Sequence, residues 1–419
     1  MAERFRQFIF PPDNPRLSMI KGDYREHTEF MRHLTTPRGS VEDMLSKWAA
    51  AADEPYQGIT ADGTVIPGLY ELEPDDAPVQ EMVDAADRLT RILTAQERAQ
   101  LSRPIDAAEW RRWNNAEAYI FEYGLRLEEL PGHKRDAVLA VIRASLSDAG
   151  YATTRHTMWV NKFIGELLDR RGVFNEWSYN FTIFGDVSLD KPWGWQLMGH
   201  HISLNCVVID GQLWLSPIFL GAEPNRADAG EYAGVELFAA QASLALELVR
   251  ALPPSLRKEA VIFSDMRDPS LPPGRLHFAD QLHLGGAFQD NRVIPYEGPA
   301  ATAFPEAQRR KLIETVASHL DVLPPGPRTA RLRSIEKHVD QTRFSWIGGT
   351  GDEDPFYYRI QSPVIMIEFD NHSGVLLSHQ TPEKFHVHTI VRSPNGNDYG
   401  RDLLAQHYAK EHQKEEAGQ

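Results

Sequence analysis

The chain has 419 residues, a formal net charge of −15 and a single cysteine, Cys206. Nucleic acids and anionic membranes are bound through an excess of lysine and arginine, so we expect neither as a partner. A single cysteine permits no intrachain disulfide and no cysteine-based zinc site, which fits a reducing compartment. The chain has no signal-peptide pattern and no run of about 18 apolar residues, so we expect a cytoplasmic protein.

The first 170 residues predict an arm followed by helices. Residues 1–40 are polar and proline-punctuated, which is typical of an arm with little structure of its own. Ser40 then caps a predicted helix, because Asp43 follows three residues later. Residues 56–72 predict a β-hairpin around Asp62-Gly63. Residues 78–170 are mainly helical by their apolar periodicity, and one of these predicted helices covers residues 107–128.

The remainder of the chain mixes strands with helices. Predicted strands cover residues 178–184, 193–198, 200–209, 212–219, 343–347, 356–361, 363–370 and 385–392. Predicted helices cover residues 231–252, 305–321, 328–340 and 399–414. Because the elements lack regular βαβ alternation, we predict an α+β fold with a mixed or antiparallel sheet core and interleaved helices. We also predict an N-terminal arm and helical lobe over residues 1–120, and a core over residues 121–419.

Two histidine pairs are the strongest chemical pattern in the chain. His386 and His388 alternate along a predicted strand, so both side chains should lie on one face. His200 and His201 open another predicted strand, and we favour His201 because its face of that strand is the polar one. Neutral imidazole is a common ligand of zinc-like ions, so these four residues are candidate metal ligands. The alternative is a set of hydrogen-bonded core histidines.

Carboxylates and arginines occur near the same predicted strands. Glu368 and Asp370 share a face and could serve as a metal ligand or as a general base. Arg359 and Arg392 are candidates for binding a substrate carboxylate or carbonyl. The alternative for all four is structural, with the arginines paired to nearby carboxylates.

A proline- and glycine-flanked segment around residues 274–288 concentrates further polar residues. Arg275, His277 and His283 are candidates there for catalysis or substrate binding, because functional residues are frequent on such loops. The alternative is a loop held by its own hydrogen bonds. Trp195 is a candidate for the wall of a substrate pocket, and otherwise a core aromatic residue.

Several sequence blocks stand in a characteristic order. They are Trp-Gly-Trp-Gln at 193–196, Gly-His-His-Ile-Ser-Leu-Asn at 199–205, Phe-Leu-Gly-Ala-Glu-Pro at 219–224, Tyr-Tyr-Arg-Ile-Gln at 357–361, Ile-Glu-Phe-Asp-Asn at 367–371, His-Val-His at 386–388 and Asn-Asp-Tyr-Gly at 397–400. From about residue 130 to 410 the chain resembles the bacterial domain-of-unknown-function family 3500. It departs from that pattern in a longer loop before His386, and in Ser393, where the family has an aspartate. The resemblance gives weight to the residues within the blocks but implies no reaction, and it leaves the first 120 residues as an added lobe.

These residues predict a metal-dependent enzyme that acts on a small organic molecule. The expected cofactor is a divalent ion, zinc first, with Fe(II) or Mn(II) as the other candidates. The expected reaction is hydrolysis of an ester, lactone or amide, or carbonyl-activated C–C cleavage. A homo-oligomer is possible. Two alternatives stay open: a metal-free polar pocket that binds or transforms an anionic metabolite, and a non-catalytic binding protein.

Overall fold

The computed structural model of the chain describes residues 3–36, 39–277 and 279–417. Its strands, numbered in chain order, are β1 (Thr35–Thr36), β2 (Gly39–Ser40), β3 (Ser102–Arg103), β4 (Leu125–Arg126), β5 (Tyr179–Phe184), β6 (Trp193–Gly199), β7 (Ile202–Ile209), β8 (Gln212–Ala222), β9 (Val261–Phe263), β10 (Arg343–Gly348), β11 (Phe356–Gln361), β12 (Met366–Asn371) and β13 (Val387–Arg392). The predicted α+β class is confirmed, because one mixed sheet of 11 strands is interleaved with helices.

Two antiparallel meanders make up most of this sheet. The first meander is β5-β6-β7-β8 and the second is β10-β11-β12-β13. Strands β8 and β13 pair antiparallel, so they join the meanders along one seam, with His388 opposite Gly221. Strands β3 and β9 add parallel partners at the two edges, and β4 pairs with β5. All residues of the four strands nearest the seam (β7, β8, β12 and β13) are buried, so both faces of the sheet are covered there.

Twelve α-helices accompany the sheet in the described part of the chain. They are α1 (Pro15–Ser18), α2 (Tyr24–Arg32), α3 (Val41–Asp53), α4 (Val79–Ile92), α5 (Ala95–Leu101), α6 (Gly132–Ser145), α7 (Asp148–Leu167), α8 (Ala239–Ala251), α9 (Pro254–Ala260), α10 (Glu306–His319), α11 (Pro325–Lys337) and α12 (Arg401–Ala417). Helix α4 packs against α6, and α8 packs against α10, around the main apolar core. None of the helices in the described ranges is long and apolar enough to cross a bilayer.

The N-terminal predictions hold in part. The helix capped by Ser40 is confirmed, since the Ser40 hydroxyl accepts from the Asp43 amide at 3.4 Å. The arm contains an unpredicted helix, α2, whose start is fixed by the Asp23 carboxylate accepting two backbone amides. Helix α4 packs on α6, so these elements are in contact across the boundary predicted at residue 120.

Two predicted elements are wrong. Residues 56–72 form no hairpin, because Thr60 pairs instead with the segment at Val293. Residues 107–128 contain no α-helix; they contain the 3-10 turn Ala108–Arg111, the two-residue strand β4 and the start of the 3-10 turn Leu127–Glu129. Large apolar residues of this segment, such as Trp110 and Trp113, pack onto the sheet without an α-helical backbone. Tertiary packing therefore overrides the apolar periodicity of this segment.

The burial of His319 should make the free energy of unfolding depend on pH in the acid range. The His319 ring lies 2.7 Å from the Tyr358 hydroxyl, and burial lowers the pKa of His319 from 6.5 to about 3. Between these values the unfolded chain binds a proton at His319 that the folded chain does not bind. The unfolding free energy should therefore fall with falling pH, by up to about 1.4 kcal/mol per pH unit from this residue.

Urea unfolding at pH 7 and at pH 5 measures this dependence. We expect a shallower pH dependence in His319→Gln, because glutamine can still bond the Tyr358 hydroxyl but does not titrate. His33→Gln is the matched control, since the His33 side chain is 69% exposed. An unchanged slope in His319→Gln would contradict this account of the pH dependence.

Candidate metal centre

Four buried histidines meet at the seam between the meanders. They are His201, His372, His386 and His388, and we refer to them as the histidine cluster. His386 directly precedes β13 and His388 is its second residue. The Nε2 atoms of these two residues lie 3.2 Å apart, so the shared face predicted from their alternation is present. The ligand atoms of His201, His386 and His388 all lie within 4.8 Å of one another.

His200 and His201 are not in a strand, contrary to the prediction. They form the two-residue turn between β6 and β7, and the turn gives His201 a φ of 65°. A left-handed backbone is uncommon for a residue with a side chain, and here it directs His201 into the cluster. The Asn115 side chain accepts from the His201 amide at 3.1 Å, and Gly221 donates its amide to the His201 carbonyl at 2.9 Å.

His200 stacks on the ring of His201 but is not one of the three histidines whose nitrogens lie close together. The two ring centroids are 3.8 Å apart. His200 Nδ1 lies 2.8 Å from the Asn161 side-chain oxygen, while the Asn161 amide group donates to the Asn175 carbonyl at 2.8 Å. The Asn161 oxygen is therefore an acceptor, and His200 supports His201 by stacking.

The tautomer of His386 follows from its surroundings. Its Nδ1 lies 3.0 Å from the Ser373 carbonyl oxygen, which can only accept a hydrogen bond. Nδ1 therefore carries the proton, and the Nε2 lone pair points towards His388. A carbonyl that fixes the tautomer in this way is the usual support of a metal-binding histidine. Burial lowers the pKa of each histidine in the cluster well below its ordinary value, so the rings are neutral.

Gly221 makes room for two of the imidazoles. A Cβ atom at this position would lie 2.8 Å from His388 Cδ2 and 3.0 Å from His201 Cδ2. Any larger residue would therefore push these rings apart.

The predicted carboxylates Glu368 and Asp370 both lie on β12, beside the cluster. Asp370 is the cross-strand partner of His388, and its Oδ2 lies 3.1 Å from His372 Nε2. The other oxygen, Oδ1, has no hydrogen-bond partner among the described residues. Burial raises the pKa of Asp370 to about 7. Glu368 is more fully bonded, since it accepts from the Tyr357 hydroxyl and from the amides of residues 284 and 285.

The three candidate residues of the 274–288 segment have different surroundings in the structure. His283 is buried, with its ring centroid 6.0 Å from that of His372 and 6.3 Å from that of His388. Arg275 lies over the Tyr357 ring at 4.7 Å and donates to the Leu282 carbonyl. His277 is a partly exposed loop residue whose Nδ1 accepts the amides of residues 279 and 280. Only His283 lies beside the cluster.

The three predicted substrate-binding residues have their hydrogen-bond partners outside the cluster. Arg359 is bonded to Glu297 and Arg392 to Asp290, each at 2.8 Å, so both arginines are ion-paired to carboxylates in loops. Trp195 donates to the Ser145 hydroxyl at 2.8 Å within the apolar core. None of these contacts involves a member of the cluster.

Sequence reasoning missed Glu223, His372 and His379. Glu223 and His379 form a second possible ligand group with His386. The Glu223 carboxylate accepts the amides of residues 375, 376 and 377, which fixes the loop that carries the Ser373 carbonyl. Glu223 and His372 lie within or directly after the blocks Phe-Leu-Gly-Ala-Glu-Pro and Ile-Glu-Phe-Asp-Asn, so these blocks were the available signal.

The sequence matches the family described as Protein of unknown function (DUF3500) over residues 75–401. The chain belongs to this family. The match includes residues 75–120, so these residues belong to the family region, whereas the sequence blocks had indicated an added lobe there. Neither the curated proteins nor the solved structures contain a match to the chain.

Proposed function

We propose that the chain is a metal-dependent enzyme whose divalent ion is held by His201, His386 and His388. The observation that carries this proposal is the 3.2 Å separation of the His386 and His388 Nε2 atoms. Two nitrogens bound at about 2.1 Å to one ion lie about 3.0 Å apart in octahedral geometry and about 3.4 Å apart in tetrahedral geometry. The observed distance lies between these values, so these two nitrogens need no large rearrangement to bind one ion.

The other possible group, Glu223 with His379 and His386, is a weaker candidate. Its Glu223 carboxylate already accepts three backbone amides. The nitrogen of His386 that faces Glu223 is Nδ1, at 3.6 Å, and this nitrogen carries the proton bonded to Ser373. A metal ligand must offer a lone pair, so this group suits loop positioning better than ion binding.

Histidine ligands suit zinc first, with Fe(II) and Mn(II) as the other candidates. A bound ion of this kind polarises a carbonyl group or lowers the pKa of bound water towards neutrality. We propose that Asp370 exchanges a proton beside the ion, because its Oδ1 has no hydrogen-bond partner among the described residues. We propose hydrolysis of an ester, lactone or amide, or carbonyl-activated C–C cleavage, with a small organic substrate. A single cysteine, Cys206, supports a reducing cytoplasm as the place of action.

Metal content by plasma mass spectrometry tests the proposal on protein purified without added metal. We expect about one zinc, iron or manganese per chain, lost in His386→Ala/His388→Ala. The matched control is His33→Ala/His133→Ala, which removes two exposed histidines and should keep the metal. A metal-free native chain, or a double variant that keeps its ion, would reject the proposed site.

Gly221→Ala tests the geometry without removing a ligand. The new methyl group meets His201 and His388 at 3.0 Å or less, so both rings must shift. We expect metal affinity about 10- to 100-fold weaker, the range seen when the support of a ligand is lost. Competition with a chromophoric chelator measures this affinity, and an unchanged value would show that the two rings do not bind the ion together.

A further inference from the structure

A cavity of about 890 Å³ lies between the segment from Gly68 to Asp76, the start of β8 and helix α11. It involves no residue of the histidine cluster. The volume is in the upper part of the range for sites that bind metabolites. Its walls combine the aromatic rings of Tyr70 and Trp214 with polar side chains, among them Gln212, Ser334 and Arg331.

Arg331 is the unusual residue of this cavity. It is only 6% exposed, and its guanidinium carbon lies 3.9 Å from the centroid of the Trp214 ring. Its Nη2 donates to two neutral acceptors, the Val364 carbonyl at 3.2 Å and the Ser393 hydroxyl at 2.8 Å. Its Nη1 has no acceptor among the residues that the structure describes.

No described carboxylate forms an ion pair with Arg331. Asp398 is the acidic group that acts on it electrostatically, but Asp398 already faces Arg392 at 3.4 Å. Burial lowers the pKa of Arg331 to about 10, which expresses the cost of a charge held away from water. A buried cation without a counter-ion is unfavourable, so an anion beside it would be strongly stabilised.

The charges of the two cavity walls differ. Helix α11 contributes Arg331, Arg333 and Lys337, while the opposite segment contributes Glu71, Glu73, Asp75 and Asp76. Two of these carboxylates are engaged: Glu71 pairs with Lys337 at 3.4 Å, and Asp75 accepts the Leu213 amide at 3.2 Å. Arg333 is exposed and has no acidic partner among the described residues. The α11 wall is therefore the side on which an anion is favoured.

We infer that this cavity binds a small organic anion, whose carboxylate or phosphate group lies beside the uncompensated charge of Arg331. The aromatic and amide side chains of the same cavity would contact the remainder of the ligand. This site is separate from the proposed metal centre and does not depend on it.

Calorimetric titration of the full-length chain with citrate and with inorganic phosphate, at low ionic strength, tests the inference. We expect one saturable site per chain for at least one probe below about 10 mM, and binding at least about tenfold weaker in Arg331→Met. Arg310→Gln is the control, because Arg310 is exposed and pairs with Glu306 on its own helix. Saturation by neither probe would overturn the inference.

If Arg331→Met does not fold, a second variant tests whether the anion binds in this cavity. Ala330 is half-buried on α11 and lines the cavity, so Ala330→Trp should fill the space without touching the charge of Arg331. We expect it to abolish binding, while Ala99→Trp, at an exposed helical alanine, leaves binding unchanged. Wild-type affinity in Ala330→Trp would place the anion elsewhere and reject the site.

Discussion

Asp290→Ala is expected to destabilise the fold by about 3–5 kcal/mol, the range for removing one partner of a buried ion pair. Asp290 accepts from Arg111 and from Arg392 at 2.8 Å each, and from the Tyr399 hydroxyl at 3.1 Å. The Arg392 side chain is fully buried. Without Asp290, the Arg111 guanidinium would lose its carboxylate partner, and Arg392 would keep Asp398 at 3.4 Å. Urea unfolding at pH 7 measures the change in unfolding free energy.

Asp53→Ala is the matched control for this prediction. Asp53 pairs with Arg112, the neighbour of Arg111 in sequence, at 2.9 Å, but the Asp53 side chain is 58% exposed. Exposed ion pairs contribute about 0–1 kcal/mol, so this variant should unfold almost like the native chain. Equal losses in the two variants would mean that the Asp290 network does not support the fold in the way its burial implies.

Glu223→Ala is expected to affect both stability and metal binding. It removes the acceptor of the Leu376 and Leu377 amides, each bonded at 3.0 Å within buried structure. A buried amide left unbonded costs about 1–3 kcal/mol, so the loss of acceptor for these two amides should cost about 2–6 kcal/mol. The loop would then release the Ser373 carbonyl from His386 Nδ1, and we expect metal affinity about 10- to 100-fold weaker.

Glu223→Gln separates the two effects, because it keeps one carbonyl oxygen as an acceptor. It should retain part of the stability and part of the metal affinity. Glu236→Ala is the control, since Glu236 is exposed and pairs with Arg226 on the surface. If Glu223→Ala lowers stability while metal affinity stays at the native value, the loop does not position His386.

The sequence predicts the strands of the sheet more accurately than the segments that pack over the sheet. β5, β6, β8, β11 and β13 lie within two or three residues of their predicted ranges, because central strands are continuous apolar runs. Residues 56–72 and 107–128 were mispredicted because their apolar residues pack on distant partners instead of forming local structure. The Thr60 bridge to Val293 is such a contact, and local periodicity contains no information about it.

The candidate site was predictable where it depends on strand alternation. His386 and His388 follow that rule, whereas His201 depends on a left-handed turn that a strand assignment of residues 200–209 conceals. His372 and Glu223 lie next to strand ends, and their convergence depends on pairing between the two meanders. For Arg392 and Arg359 the sequence leaves substrate binding and ion pairing open, because their partners, Asp290 and Glu297, lie in loops whose position in space it does not indicate.

The seam between β8 and β13 has a consequence for the order of biosynthesis. The turn that carries His201 leaves the ribosome about 185 residues before His386 and His388, since synthesis proceeds from the N-terminus. The first meander can pair locally, but the three nitrogens meet only after the last strand of the sheet joins it. Capture of an ion by all three ligands would therefore be a late event, and it would mark a chain whose two halves have already docked.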